Sequence, residues 1–235
     1  MENLDEKYLN DYNEFVVEDE EHIIPICSSA IKILYEKFKV PLSDPKLIAV
    51  IVERTYNVII NTLKSYESKL SEFKINICDR LEIGYTTNTS DDDEKQGNYM
   101  IYMNHLNKSV KDNVNEDATT PTERITQWNI ENVITQPGII REISNAVIED
   151  LKSIDVHIGI SELVMPIFIT VYEATVNYVR IKRQELGEFE FEINFISCFH
   201  IGCMETEDGS SIYIRPNIEA KLLMKDDQAA TSIHE

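Results

Sequence analysis

Apolar residues recur along this chain at three- and four-residue steps in some stretches and at two-residue steps in others. At the very start, Leu4, Tyr8, Tyr12 and Phe15 or Val16 would line one face of a helix. A second helix is predicted from about Cys27 to Phe38, with Ile31, Leu34, Tyr35 and Phe38 on its apolar face and Ser28 or Ser29 as cap. Pro41 ends it, because the residue before a proline is pushed out of helical geometry. Ser43-Asp44-Pro45 then joins a capping side chain to a proline in the first turn and predicts a long helix to about Ser71. Its wide apolar face holds Leu47, Ile48, Ile51, Val52, Tyr56, Ile59, Ile60 and Leu63.

The period then changes. FKINI (Phe73 to Ile77) alternates as a half-buried strand does, the acidic loop TSDDDEKQG follows, and YMIYM (Tyr99 to Met103) reads as the returning strand. From about His105 to Gln136 the chain is polar, which predicts a linker or long excursion; it holds the single tryptophan, Trp128. After Pro137-Gly138 the order begins again. A helix is predicted from Ile139 to about Ser153, then a long one from about Glu162 to Gln184, capped by Ser161 and stopped by Gly187. FEFEINF (Phe189 to Phe195) alternates, Asp208-Gly209 signals a hairpin, and SIYI (Ser211 to Ile214) begins the return.

The pattern predicts an α+β protein in which a helix–long helix–β-hairpin unit occurs twice, with antiparallel sheets packed on helices. The expected organisation is an acidic arm over residues 1–24, a first unit over 25–103 and a polar linker over 104–136. A second unit over 137–224 and a tail over 225–235 complete it. FKINICDRLEIGY (Phe73 to Tyr85) also aligns without gaps on FEINFISCFHIGC (Phe191 to Cys203), sharing Phe, Ile, Asn, Ile and Gly. The match falls at the same place in the same order of elements, which is what a tandem duplication would leave.

Composition sharpens this picture. With 235 residues, 43% of them hydrophobic, the chain can bury a sizeable core. Its longest apolar runs, LIAVIV and LVMPIFI, fall far short of the roughly 20 residues of a membrane span. The acidic start lacks the order of a secretory signal, and Cys27, Cys78, Cys198 and Cys203 are few and irregularly spaced. A cytoplasmic protein with reduced thiols, not a membrane protein, is therefore expected.

The net charge of −20 argues against binding nucleic acid through a basic surface; it is compatible with a basic partner, with a DNA-mimicking surface, or with good solubility alone, the plainest of the three readings. From Met1 to His22 nine acids stand against Lys7, a net of −8. An acidic helix with one aromatic stripe has to bury that stripe, on its own domain or on another chain. Leu4, Tyr8, Tyr12, Phe15 and Trp128 are accordingly the candidate interface residues.

Signals for chemistry are weak. Cys198, His200 and Cys203 have zinc-ligand character, but in a strand Cys203 faces away from the other two and no second pair is near in sequence. Asp91 to Glu94 do not have EF-hand spacing. Phosphate-binding glycine motifs and the serine elbow are absent, and His22, His105, His157, His200 and His234 are scattered. Arg180, Lys182 and Arg183 form one compact basic cluster, placed to complement the dipole of the second long helix. No catalytic residue, cofactor or metal ligand is expected.

In texture the chain resembles small structural proteins of large tailed bacteriophages. The shared features are many Ile, Asn, Lys and Glu, strong acidity, a duplicated unit, an acidic arm and the polar tail QAATSIHE. The resemblance implies a virion or assembly component such as a neck, ring or tail protein, acting through contacts with other subunits, and carries over no functional residue. An acidic inhibitor of the DNA-mimic type, directed at a basic target, is the alternative from another class. An enzyme of unrecognised type is the third.

Overall fold

The computed structural model describes residues 20–67, 69–78, 80–87, 99–106, 120–132, 136–187, 191–195, 199–206 and 209–216. The stripe residues Leu4, Tyr8, Tyr12 and Phe15, the acidic loop Asp91 to Glu94, Cys198 and the tail lie outside them.

Helix α1 spans Glu20–Phe38, α2 Pro45–Glu67, α3 Pro121–Asn132, α4 Pro137–Ser153 and α5 Val164–Leu186. Strands β1 (Glu72–Ile77), β2 (Leu81–Thr87) and β3 (Tyr99–His105) form one antiparallel sheet in that order. Strands β4 (Phe191–Phe195), β5 (Phe199–Thr206) and β6 (Gly209–Pro216) form a second. The fold is α+β, with both small sheets packed against helices.

Three expectations need correcting. First, the helix predicted from about Cys27 already includes Glu20, so residue 24 lies within α1. Pro25 stands inside it, in the second turn, where a proline gives up the hydrogen bond to the carbonyl four residues back, and the burial of Ile23 and Ile26 offsets that loss. Tertiary packing overrides the proline signal. Second, each expected hairpin is a three-stranded meander, because LEIGYTT and FHIGCMET each insert a central strand. A glycine in the middle of each, Gly84 and Gly202, weakens the local strand signal. Third, the polar segment before residue 136 carries α3, which has a capping box at its start. The Glu123 N–H donates to Thr120 Oγ1 (3.3 Å) and the Thr120 N–H donates to Glu123 Oε2 (3.0 Å).

Two expected caps do not act: Ser28 and Ser29 lie inside α1, and Ser161 opens a short 3-10 turn, Ser161–Leu163, ahead of α5, whose start carries no side-chain cap. Two other local signals act as read. The Asp44 side chain accepts from the Lys46 N–H (2.9 Å) at the start of α2. Gly187 closes α5 in the left-handed conformation (φ 67°), its N–H donating to the Arg183 carbonyl (3.0 Å).

The two halves correspond in detail. Phe73 pairs Tyr85, Ile75 pairs Ile83 and Ile77 pairs Leu81; 118 residues on, Phe191 pairs Cys203, Ile193 pairs Ile201 and Phe195 pairs Phe199. Gly84 sits opposite Tyr102 and Gly202 opposite Tyr213. The buried positions of α1 (Ile23, Ile26, Cys27, Ala30, Leu34) recur in α4 as Ile140, Ile143, Ser144, Val147 and Leu151. The long helices share Glu-x-Thr-x-Asn, at Glu53, Thr55 and Asn57 and again at Glu173, Thr175 and Asn177. Thr55 and Thr175 are both fully buried, and each hydroxyl donates at 2.7 Å to the carbonyl four residues back, Ile51 and Val171.

The core is continuous across the halves. The short helix of each half packs on the long helix of the other, α1 on α5 and α2 on α4, while α2 and α5 meet in the middle. The edge strands β3 and β6 approach one another without ladder pairing among the described residues.

Candidate functional site

Trp128, expected as a contact residue, is 2% exposed and meets the Phe38 ring edge-on (centroids 5.9 Å apart, 88°). It belongs to the core of its own chain. Its indole nitrogen is buried without a hydrogen-bond partner among the described residues.

The expected strand parity separates the residues that could have held a metal. His200 lies on the outer sheet face with Nδ1 3.3 Å from Glu192 Oε1, while Cys203 is buried on the inner face. No group of three or more metal-ligating side chains occurs among the described residues. Cys27 is buried, and burial followed by the charge of Asp44 pushes its thiol up to about 12, which leaves it protonated and a poor nucleophile.

The outer sheet faces carry matching polar arrangements. On the first, Lys74 Nζ meets Glu82 Oε2 at 2.9 Å beside Tyr102. On the second, the Tyr213 hydroxyl donates to Glu192 Oε2 at 2.8 Å, beside His200. In each, a tyrosine ring lies over the central-strand glycine: a Cβ on Gly84 would stand 2.7 Å from Tyr102 Cζ and 2.9 Å from the Phe73 carbonyl oxygen, and one on Gly202 would meet the Tyr213 ring.

One cluster does not repeat. At the end of the first sheet, His105 Nδ1 and the Tyr172 hydroxyl share a 2.7 Å hydrogen bond. The Leu106 N–H donates to the Arg80 carbonyl (2.7 Å), which fixes the β1–β2 turn beside His105. Arg80 Nε in turn lies 3.0 Å from Glu173 Oε1. Arg180 follows on α5, two helical turns beyond Glu173 and on the same face. Burial, then Arg180 and Arg80, hold the His105 pKa below its ordinary value. Burial, then the Glu173 charge, raise that of Tyr172, which stays a neutral phenol. The cluster therefore presents two guanidinium groups, one carboxylate and two neutral polar rings.

Its counterpart in the other half is apolar. The shared Glu-x-Thr-x-Asn register sets Tyr172 against Val52 and Arg180 against Ile60, both of which are buried. The sheet register sets His105, opposite Leu81, against Pro216, opposite Phe199. Thus two corresponding places share backbone and differ in chemistry, and only one carries cations. Of these residues, the sequence marks only Arg180, by its place in the basic cluster near the helix end. His105, Tyr172 and Arg80 give no sequence signal, because β3, the β1–β2 turn and α5 unite them only in three dimensions.

No helix is long and apolar enough to cross a membrane among the described residues. Comparison with family models, with curated proteins and with solved structures returned no match.

Proposed function

We propose that this chain is a non-enzymatic assembly subunit, built from a duplicated unit, that acts through protein–protein contacts. A phage virion component of the neck, ring or tail kind is the setting that its texture suggests. The observation that carries this reading is the correspondence of the halves. Each brings the same strand register, the same glycine–tyrosine pairing and the same helix-core positions. A duplicated body of this kind offers two outer sheet faces of the same backbone and glycine–tyrosine pairing, which differ in the charges they carry, Lys74 and Glu82 on one and Glu192 and His200 on the other.

Exposed apolar side chains support the same reading. Tyr35, Leu70, Ile130, Ile181 and Leu186 are all at least 44% exposed, and lie on four different elements or their ends. The test is sedimentation of the full-length protein over a wide concentration range at low and high salt. Defined oligomers that weaken in part with salt are expected, since screening acts on the charges and not on apolar contacts. A monomer at every concentration that also binds no component of its native setting would remove the reading.

A further inference from the structure

We propose that the surface formed by Arg80, His105 and Arg180 receives the acidic N-terminal arm of a second copy of this chain. The inference rests on the assembly reading and names one of its contacts.

Arg180 carries the first step. In a chain with 42 acidic and 22 basic residues it is exposed and makes no ion pair among the described residues. It follows Tyr172 and Glu173 by two turns of α5, and the Tyr172–His105 hydrogen bond ties that face of the helix to the end of β3. Arg80 stands beside it across Glu173. The corresponding place in the other half holds Val52, Ile60 and Pro216, so nothing in the shared architecture calls for cations here. Arg180, an exposed cation that the shared architecture does not call for, beside the half-buried Arg80 and His105, suits an anionic ligand.

The occupant follows from charge and position. Met1 to Asp19 carries seven acids against Lys7, together with the stripe Leu4, Tyr8, Tyr12 and Phe15. Ile181, one residue beyond Arg180 and 54% exposed, lies about 100° round α5 towards Tyr178 and offers that stripe an apolar contact at the edge of the surface. The arm joins the described chain at Glu20, where His22 Nδ1 lies 3.0 Å from the Tyr178 hydroxyl and the His22 ring meets Phe191 edge-on. Two residues along a helix are roughly 200° around its axis, so Tyr178 and Arg180 point to opposite sides of α5. The arm is rooted across the helix from the cluster, which favours docking on a neighbouring molecule. Acidic residues meeting a basic surface would set partner choice and register, with the aromatic stripe holding the contact.

The experiment is a cycle on the full-length protein. Association constants are measured by sedimentation for the natural chain, for Arg180→Glu, for the chain lacking Met1 to Asp19, and for the two changes combined. Arg141→Glu, an exposed arginine on α4, controls for net charge. Arg180→Gln serves as a milder second variant, and circular dichroism checks each fold. Arg180→Glu and the truncation should each weaken association at least about ten-fold, and together no more than the larger single effect, because they remove the same contact. Arg141→Glu should leave association unchanged. Fully additive losses, or an equal effect of Arg141→Glu, would overturn the proposal. Oligomers indifferent to both Arg180 variants would remove this contact and leave the assembly reading standing. A chain that never self-associates would remove the contact, and the binding of other components would then decide the wider reading.

Discussion

At Gly84 and Gly202 the absence of a side chain is a packing requirement, because a tyrosine ring occupies the space where Cβ would stand. Gly84→Ala forces Cβ against both the Tyr102 ring and the backbone of β1; Gly202→Ala meets the Tyr213 ring. Each substitution should destabilise the fold by about 1–3 kcal/mol, the usual cost of overpacking, measured by urea unfolding. Gly84→Ala should be the worse of the two, since a carbonyl oxygen moves less readily than a ring. Both glycines were visible in the sequence as a matched pair within the aligned segments. Their tyrosines were not, because the loop before β3 is much longer than the one before β6 and no common spacing joins Tyr102 and Tyr213 to them.

His105 gives a second prediction at this scale. Its folded-state pKa lies below the ordinary value of 6.5, first through burial and then through Arg180 and Arg80. The unfolded chain therefore binds the proton more readily. The contribution of neutral His105 is complete above about pH 6.5 and is lost as pH falls through the lower, folded-state value. Over that window the natural protein should lose stability faster than His105→Asn, in paired denaturation series. Parallel curves would show that neither burial nor the guanidinium groups hold this ring below its ordinary value.

Among the elements, α1 and α4 occupy equivalent core positions, each against the long helix of the other half. Leu34 and Leu151 are the last matched pair and both are fully buried. Leu34→Ala and Leu151→Ala should each cost about 2–5 kcal/mol in urea unfolding, and by similar amounts. A loss at only one would mean that the matching burial does not reflect matching packing. In α2, Glu53 behaves oppositely to His105. Burial raises its carboxyl pKa, Arg54 opposes this and Asp150 adds to it. A raised folded-state pKa gives extra stability at low pH, which is lost as pH rises through that value. Glu53→Gln should therefore gain stability relative to the natural chain as pH rises towards neutrality.

The long helices were legible from their apolar spacing and from Asp44-Pro45 and Gly187, because strong caps and a wide apolar face act locally. The start of α1 across Pro25 was not, since packing of Ile23 and Ile26 decides it. Nor was α3, whose buried residues, Ile125 and Trp128, are too few to set a clear period. The Glu-x-Thr-x-Asn match escaped the ungapped comparison because the long helices are displaced by 120 residues and the hairpins by 118. Buried helix positions made that correspondence visible.

The whole molecule combines a continuous core, two similar sheet faces, one basic cluster and a net charge of −20. The proposed mode of action is contact with other chains, with the acidic arm supplying one such contact. With seven acids against one lysine, the sequence from Met1 to Asp19 would be marginal as a helix alone in water, where packing of an apolar face provides most helical stability. Native mass measured for the full-length protein and for the chain lacking Met1 to Asp19, with circular dichroism on both, tests the claim most directly. The account predicts an oligomer that shifts towards smaller species on truncation while helix content and melting of the core are kept. Identical masses for the two chains, or collapse of the core when the arm is removed, would contradict it.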